Sequence, residues 1–169
     1  MRDLPMRNVG GAATLDPDEL VRYPDDLREA VYSWLAKECT SSEISLIIAL
    51  ESWGYLLAAP IAVQLGLPLV VARRRVDRLS SDAITRSYDM NSTRGHQIGI
   101  ERTADLTGNQ IALIDDSVVS GGTLAAVREI VAQLGGDVSM ALAITGSASR
   151  RLELEMKVRT PVRCYSWVG

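Results

Sequence analysis

The apolar positions of this chain fall into short unbroken runs separated by amphipathic stretches. Residues 44–50, 67–72, 111–114 and 138–145 are each dominated by Ile, Leu, Val and Ala without regular alternation, and a last, more mixed strand is expected around Val162–Trp167. Such runs predict strands covered on both faces, and therefore a parallel sheet. Between them the spacing becomes helical. Leu27, Val31, Trp34 and Leu35 mark the buried stripe of a first helix opened by Pro24-Asp25-Asp26. A second helix is predicted from Gly54 to Leu65, stopped by Gly66. Thr123 to Leu134 predicts a third, with Leu124, Val127, Ile130, Val131 and Leu134 facing inward and Gly135-Gly136 ending it. A short fourth helix is expected over residues 148–155. The order of elements implies an α/β fold, an open and mostly parallel twisted sheet with helices on both faces and right-handed crossovers.

Two stretches resist this pattern. The first two dozen residues read as loop, with Gly10-Gly11, Pro5 and Pro17. Residues 76–101 are rich in Ser, Thr, Asp, Asn and Arg and read as a mobile loop or a weak hairpin; a segment of that length inside a compact domain is usually functional. The 169 residues fit one domain, spanning 1–169, and show no internal repeat.

Composition removes several classes of function. Hydrophobic residues make up 47% and charged residues 23%, an ordinary globular balance. Eighteen Lys and Arg against 21 Asp and Glu leave a net charge of −3, the wrong sign for a sequence-independent grip on nucleic acid. The apolar runs are too short to span a bilayer, and Met1 to Pro5 shows no secretory leader, so a cytoplasmic protein is expected. Cys39 and Cys164 are read as buried reduced thiols; with the single histidine, His96, they cannot assemble a zinc site.

The densest chemical signal is the run from Ile111 to Thr123. An apolar strand delivers Asp115 and Asp116, and a short loop through Val119 ends in Ser120-Gly121-Gly122-Thr123 at a helix start. Glycines let backbone N–H groups converge, and the helix dipole favours an anion there. Two hydroxyls complete a cup for one terminal phosphate. Adjacent carboxylates suit vicinal ribose hydroxyls and hydrated Mg²⁺ held through water. A phosphate cup beside diol acceptors describes a 5-phosphoribosyl group. Neither a Gly-x4-Gly-Lys-Ser/Thr loop nor a Gly-x-Gly-x-x-Gly turn occurs.

This string resembles the phosphoribosyl-pyrophosphate (PRPP) signature of type I phosphoribosyltransferases, most closely the adenine phosphoribosyltransferase-like branch, over roughly residues 44–145. Glu51-Ser52-Trp53-Gly54-Tyr55 resembles that branch's pyrophosphate loop, in which a cis peptide is common, making Glu51–Ser52 a candidate. Trp53 stands where that branch usually has arginine. Arg73, Arg74 and Arg75 resemble the basic segment that neutralises the diphosphate, with Arg94 a further source of charge. Ser87-Tyr88 resembles the Ser-Tyr of the catalytic loop, which puts Tyr88 on PRPP. The glutamate expected after it is missing; Asp89 is the nearest carboxylate, ahead of Glu101 and His96. Valine at 119, where the hypoxanthine–guanine branch has aspartate, favours adenine-like or xanthine-like relatives.

The resemblance implies Mg²⁺-dependent transfer of phosphoribose from PRPP to a nitrogenous base, with pyrophosphate released. It also implies a small N-terminal hood within residues 1–40, a mobile catalytic loop at 76–101 and a homodimer. The missing glutamate and Trp53 leave a second expectation open, a regulator that senses PRPP or nucleotide without catalysis. Trp34, Trp53 and Trp167 are candidate base-stacking residues, each more simply a packed aromatic.

Overall fold

The computed structural model describes residues 3–9, 12–22, 26–90 and 93–168. At its centre lie five parallel strands: β3 (Leu46–Leu50), β4 (Leu69–Ala72), β7 (Gln110–Val118), β8 (Asp137–Ser147) and β9 (Val162–Val168). Their spatial order is β4-β3-β7-β8-β9, so the winding reverses between β3 and β7. In an open α/β sheet that reversal leaves a crevice beyond the carboxyl ends of the two strands, where ligands bind.

All five residues of β3 are buried, as an unbroken apolar run in a parallel sheet requires. Successive side chains serve two different cores. Leu46, Ile48 and Leu50 of β3 and Ile111 and Leu113 of β7 pack against α4 (Gly122–Gln133) and α5 (Arg151–Val158). Ile47, Ala49, Ala112 and Ile114 pack against α2 (Asp26–Ser41) and α3 (Gly54–Leu65). Helices therefore cover both faces, as the sequence predicted. α3 has the predicted bounds, and Gly66 ends it in the left-handed region at φ 65°. Trp34 lies half-buried, edge-on to Tyr165 at 5.7 Å.

The expected loop at the N-terminus is instead structured. β1 (Met6–Val9) and β2 (Ala12–Leu15) form an antiparallel hairpin, followed by the short α1 (Pro17–Arg22). Asp16 Oδ1 accepts the Glu19 N–H at 3.4 Å and Pro17 opens the helix, an N-cap arrangement written into Asp-Pro-x-Glu. Leu15 and Leu20 anchor the segment in the core. Gly10-Gly11, the helix start expected at Pro24-Asp25, and Asn91 lie outside the described residues.

Residues 76–101 take the hairpin alternative. A 3₁₀ turn at Val76–Arg78 precedes β5 (Ile84–Met90) and β6 (Thr93–Ile100). Ile84, Tyr88, Ile98 and Ile100 join the core on the α4 side. The hairpin is tied to the exit of β4 by a two-way backbone bridge between Arg73 and Gly99. No helix among the described residues is long and apolar enough to cross a membrane.

Candidate active site

The carboxyl ends of β3 and β7 open onto a cleft of about 270 Å³. β3 pairs with β7 as far as Ala49–Ile114, while β8 follows β7 on to Val118. Asp115, Asp116 and Ser117 therefore continue the strand with their β3 side vacated, and that vacated side is the cleft.

Two helices begin at its walls. α4 follows Gly121, which lies in the left-handed region at φ 68° and leaves the helix with no side-chain cap. Its first backbone bond runs from Ala125 N–H to Gly121 O at 3.0 Å, so the leading amides from Gly122 to Leu124 are the orphan donors of a helix start. α3 starts after Trp53, also without a side-chain cap. Neither helix has an acidic residue in its first turn. Each start is a ready site for an anion. Ser120, Gly121 and Thr123 line the cleft at one of them, Ser52 and Trp53 at the other. The Glu51–Ser52 peptide is cis.

Two close backbone approaches set this geometry. A Cβ on Gly54 would lie 2.5 Å from Ile114 O, so glycine lets the start of α3 lie against β7 just before the carboxylates. A Cβ on Gly122 would lie 2.2 Å from Asp89 O, so the tip of β5 rests on the start of α4. Met90, next in β5, reaches the cleft.

Asp115 is 5% exposed. Burial first, then the neighbouring Asp116 charge, hold its carboxyl well above the usual carboxylate range, while Arg74 pulls the other way. Asp115 Oδ1 accepts the Asp116 N–H at 2.9 Å. Asp116 is half-buried and lines the same cleft.

The three arginines leaving β4 have different fates. Arg74 lines the cleft, and its Nε is buried without a hydrogen-bond partner. Arg75 forms a forked pair with Asp77 at 3.0 and 2.9 Å on the surface and is not brought to the cleft. Arg73 does not line it either, and its backbone holds the hairpin. Glu51 Oε2 accepts the Arg74 and Arg75 N–H groups at 2.5 and 3.1 Å, bracing the two strand exits against each other.

Of the β5–β6 hairpin only Met90 reaches the cleft among the described residues, and the residues expected there do not line it. Tyr88 packs in the core, its hydroxyl buried and unpartnered, its ring 5.6 Å from that of His96. Asp89 is exposed and accepts the Gly95 N–H at 3.2 Å. His96 meets Thr93 Oγ1 at 2.8 Å, and Glu101 accepts from Ser80. Trp167 lies under the Arg151 guanidinium at 4.9 Å, leaving Trp53 as the tryptophan in the cleft.

Sequence reasoning missed the wall opposite. Arg7 and Thr14 are directly paired across the N-terminal hairpin, and both line the cleft. The Asp16-Pro17-x-Glu19 cap was the signal that residues just before it are ordered. Ser117, Val118 and Leu124 also contribute to the lining.

Residues 25–168 match the phosphoribosyl transferase domain family. The chain is 32% identical to an adenine phosphoribosyltransferase of Thermobifida fusca over 140 residues, 82% of this chain and 77% of that one. It is 30% identical to the adenine phosphoribosyltransferase of Actinobacillus succinogenes over 141 residues, 83% and 77% of the two chains. Its fold superposes on the crystal structure of adenine phosphoribosyltransferase from Thermoanaerobacter pseudethanolicus with a TM-score of 0.83 at 23% identity, covering 95% of this chain and 93% of that one. The Saccharomyces cerevisiae enzyme, solved with an imino-altritol bisphosphate and adenine, gives 0.83 at 21% identity over 96% and 94%. The chain belongs to the type I phosphoribosyltransferase family. Its place there is the adenine phosphoribosyltransferase-like branch, and it is a phosphoribosyltransferase.

Proposed function

We propose that the protein transfers the 5-phosphoribosyl group of PRPP to a purine, adenine foremost, with Mg²⁺ and with release of pyrophosphate. One observation carries this reading. Two uncapped helix starts face one cleft at the reversal of the sheet, with a carboxylate pair between them. A sugar bearing phosphate at both ends offers one anion to each start.

Ser120 to Thr123 hold the 5-phosphate with backbone amides and two hydroxyls. Asp115 and Asp116 accept hydrogen bonds from the ribose diol. Ser52, Trp53 and Gly54 at the start of α3 hold the diphosphate, and the unpartnered Arg74 Nε adds a charged donor. Departure of diphosphate leaves positive charge at the anomeric carbon, and the base attacks it. The protein's part is to align the two reactants, stabilise the leaving charge and exclude water. The hairpin β5–β6, seated on the start of α4, covers them on one side, with Met90 at the cleft and Asp89 its nearest carboxylate.

The donor set fits Mg²⁺. Among the described residues no three or more His, Cys, Asp and Glu come together, whereas Mg²⁺ takes one or two carboxylates, keeps water and completes its shell with substrate phosphates. A cation at Asp115 and Asp116 would offset the burial, and after it the Asp116 charge, that together lift Asp115. When bound, the ion neutralises charge on the diphosphate.

The adenine phosphoribosyltransferase relatives support adenine as acceptor. Two free cysteines support a reducing, cytoplasmic setting. Exposed Leu56 and Val63 on α3 support a homodimer.

The test is incubation with Mg-PRPP and a panel of purines and pyrimidines while pyrophosphate is followed. Adenine should turn over, and the Asp115→Asn/Asp116→Asn double variant should bring turnover to background while still melting cooperatively. Binding of PRPP without release for any base would make the protein a sensor instead. Turnover at the wild-type rate in the double variant would remove the carboxylates from the site.

A further inference from the structure

The N-terminal hairpin is tied to the sheet by a buried polar contact. Leu15, the last residue of β2, donates its N–H to Ser117 Oγ at 3.0 Å and to Thr145 Oγ1 at 3.3 Å. The two hydroxyls are 2.8 Å apart and their residues are register partners on β7 and β8. Thr145 is 1% exposed and Leu15 fully buried, so water does not compete for the bond between them, while Ser117 is half-buried and borders the cleft.

Strand alternation converts this anchor into a statement about the cleft. Leu15 enters the core, so Thr14 points to the other face of β2, and its cross-strand partner Arg7 shares that face. Both line the cleft. The residues assigned above to the 5-phosphate, the diol and the diphosphate account for all of PRPP. Of the lining that remains, Met90, Val118, Val119 and Leu124 are apolar, and Arg7 and Thr14 are the polar wall left to meet the acceptor base.

We infer that Ser117 and Thr145 are positioning residues for the acceptor, acting through the Leu15 N–H to hold Arg7 and Thr14 over the cleft. The inference rests on the transferase reading above. Ser117 directly follows Asp116 in β7, so a single strand end fixes both the donor sugar and the wall that meets the base. Removing the hydroxyls leaves the amide without an acceptor and frees the hairpin to drift, while the PRPP contacts keep their own supports in β3, β7 and α4.

The test uses the full chain with Thr145→Val, Ser117→Ala and both together, with Thr145→Ser as the variant that keeps the hydroxyl. KM for adenine should rise roughly five- to tenfold in each single variant, the size expected for one lost hydrogen bond, and further in the double. KM for PRPP should stay within about twofold, a split that general destabilisation would not produce. Thr145→Ser should behave as wild type. Hydrogen exchange at the Leu15 amide should quicken in the Val and Ala variants, read under conditions where thermal melts show each folded. An unchanged adenine KM in the double variant, or PRPP KM rising in step, overturns the inference. Should the double variant not fold, Thr145→Val against Thr145→Ser gives the same decision. If wild-type protein turns over no base, the transferase reading is what fails, and unchanged protection of Leu15 would separately remove the anchor.

Discussion

Replacing Gly122 by alanine puts one methyl group between the phosphate loop and the hairpin. Its carbon would lie 2.2 Å from the Asp89 carbonyl oxygen and 3.6 Å from Tyr88 Cδ2. A carbon–oxygen contact needs about 3.3 Å, so one backbone must retreat by about 1 Å. Asp89 sits at the irregularity of the β5–β6 ladder between the paired Tyr88 and Met90, its carboxylate on the Gly95 N–H, and Gly122 opens a helix, so the retreat disturbs one or both. Overpacking of this kind costs about 1–3 kcal/mol. Alanine's better helix propensity returns up to about 1 kcal/mol, since no positive φ is required at this position. The melting temperature should fall by no more than several degrees, at about 2–4 °C per kcal/mol for a chain of this size. Catalysis should suffer far more, because about 1 Å of misplacement costs roughly 10²-fold. The assay is kcat/KM for PRPP by pyrophosphate release, paired with a thermal melt. Gly66→Ala is the control. It lies at φ +65° with nothing within 4 Å of the added carbon, so strain should cost about 1–2 kcal/mol and leave kcat/KM untouched. If Gly122→Ala turned over at the wild-type rate, the hairpin would not be seated on the phosphate loop as described.

Asp115→Asn should stabilise the ligand-free protein at neutral pH. The folded carboxyl sits above its unfolded value, so the stability it contributes is complete below about pH 4 and is lost as pH rises through the folded value. The variant's advantage should therefore shrink as melts are taken from pH 7 to pH 4, and a difference independent of pH would refute the cause given. Arg74→Gln should weaken PRPP binding roughly 10- to 100-fold, the worth of a charged hydrogen bond, measured as KM or by titration calorimetry. Arg75→Gln should change it by less than about twofold, because that guanidinium is committed to Asp77 in solvent; equal losses would mean the two arginines share the diphosphate. Burial pushes the Cys39 thiol up to about 11 and the Cys164 thiol up to about 12, so a thiol reagent at pH 8 should label neither until the protein unfolds.

The regular part of this fold was legible because its signals are local. Gly66 announced the end of α3, and the unbroken runs at 44–50 and 138–145 announced buried strands. β7 was read as ending at Ile114, where the apolar run stops, yet it continues to Val118 because β8 pairs with it. That pairing is nonlocal, and composition hides it. The N-terminal hairpin was missed for a similar reason: four-residue strands carry almost no period, and what holds them is a contact to residues more than a hundred positions away. At the site, the string from Asp115 to Thr123 was readable because strand, carboxylates, glycines and helix start adjoin in the chain. Three consecutive arginines were not separable by sequence. Only the turn after β4 decides that Arg74 faces inward while Arg75 meets Asp77.

The pleat of β7 has a bearing on how this chemistry can vary. Ile111 and Leu113 face one core, Ala112 and Ile114 the other, and the same two-residue rhythm runs on without a break into Asp115 and Asp116. Sliding the strand by one position would turn each core's residues to the other face, setting Ala112 where a larger side chain packs, and at the same stroke swap the sunken acid with the accessible one. The two carboxylates thus inherit their orientation from greasy neighbours that never meet a substrate. A volume change at Ile114 or Leu113 is an active-site mutation in disguise, and refinement of the acids has to proceed without disturbing the hydrocarbon beneath them.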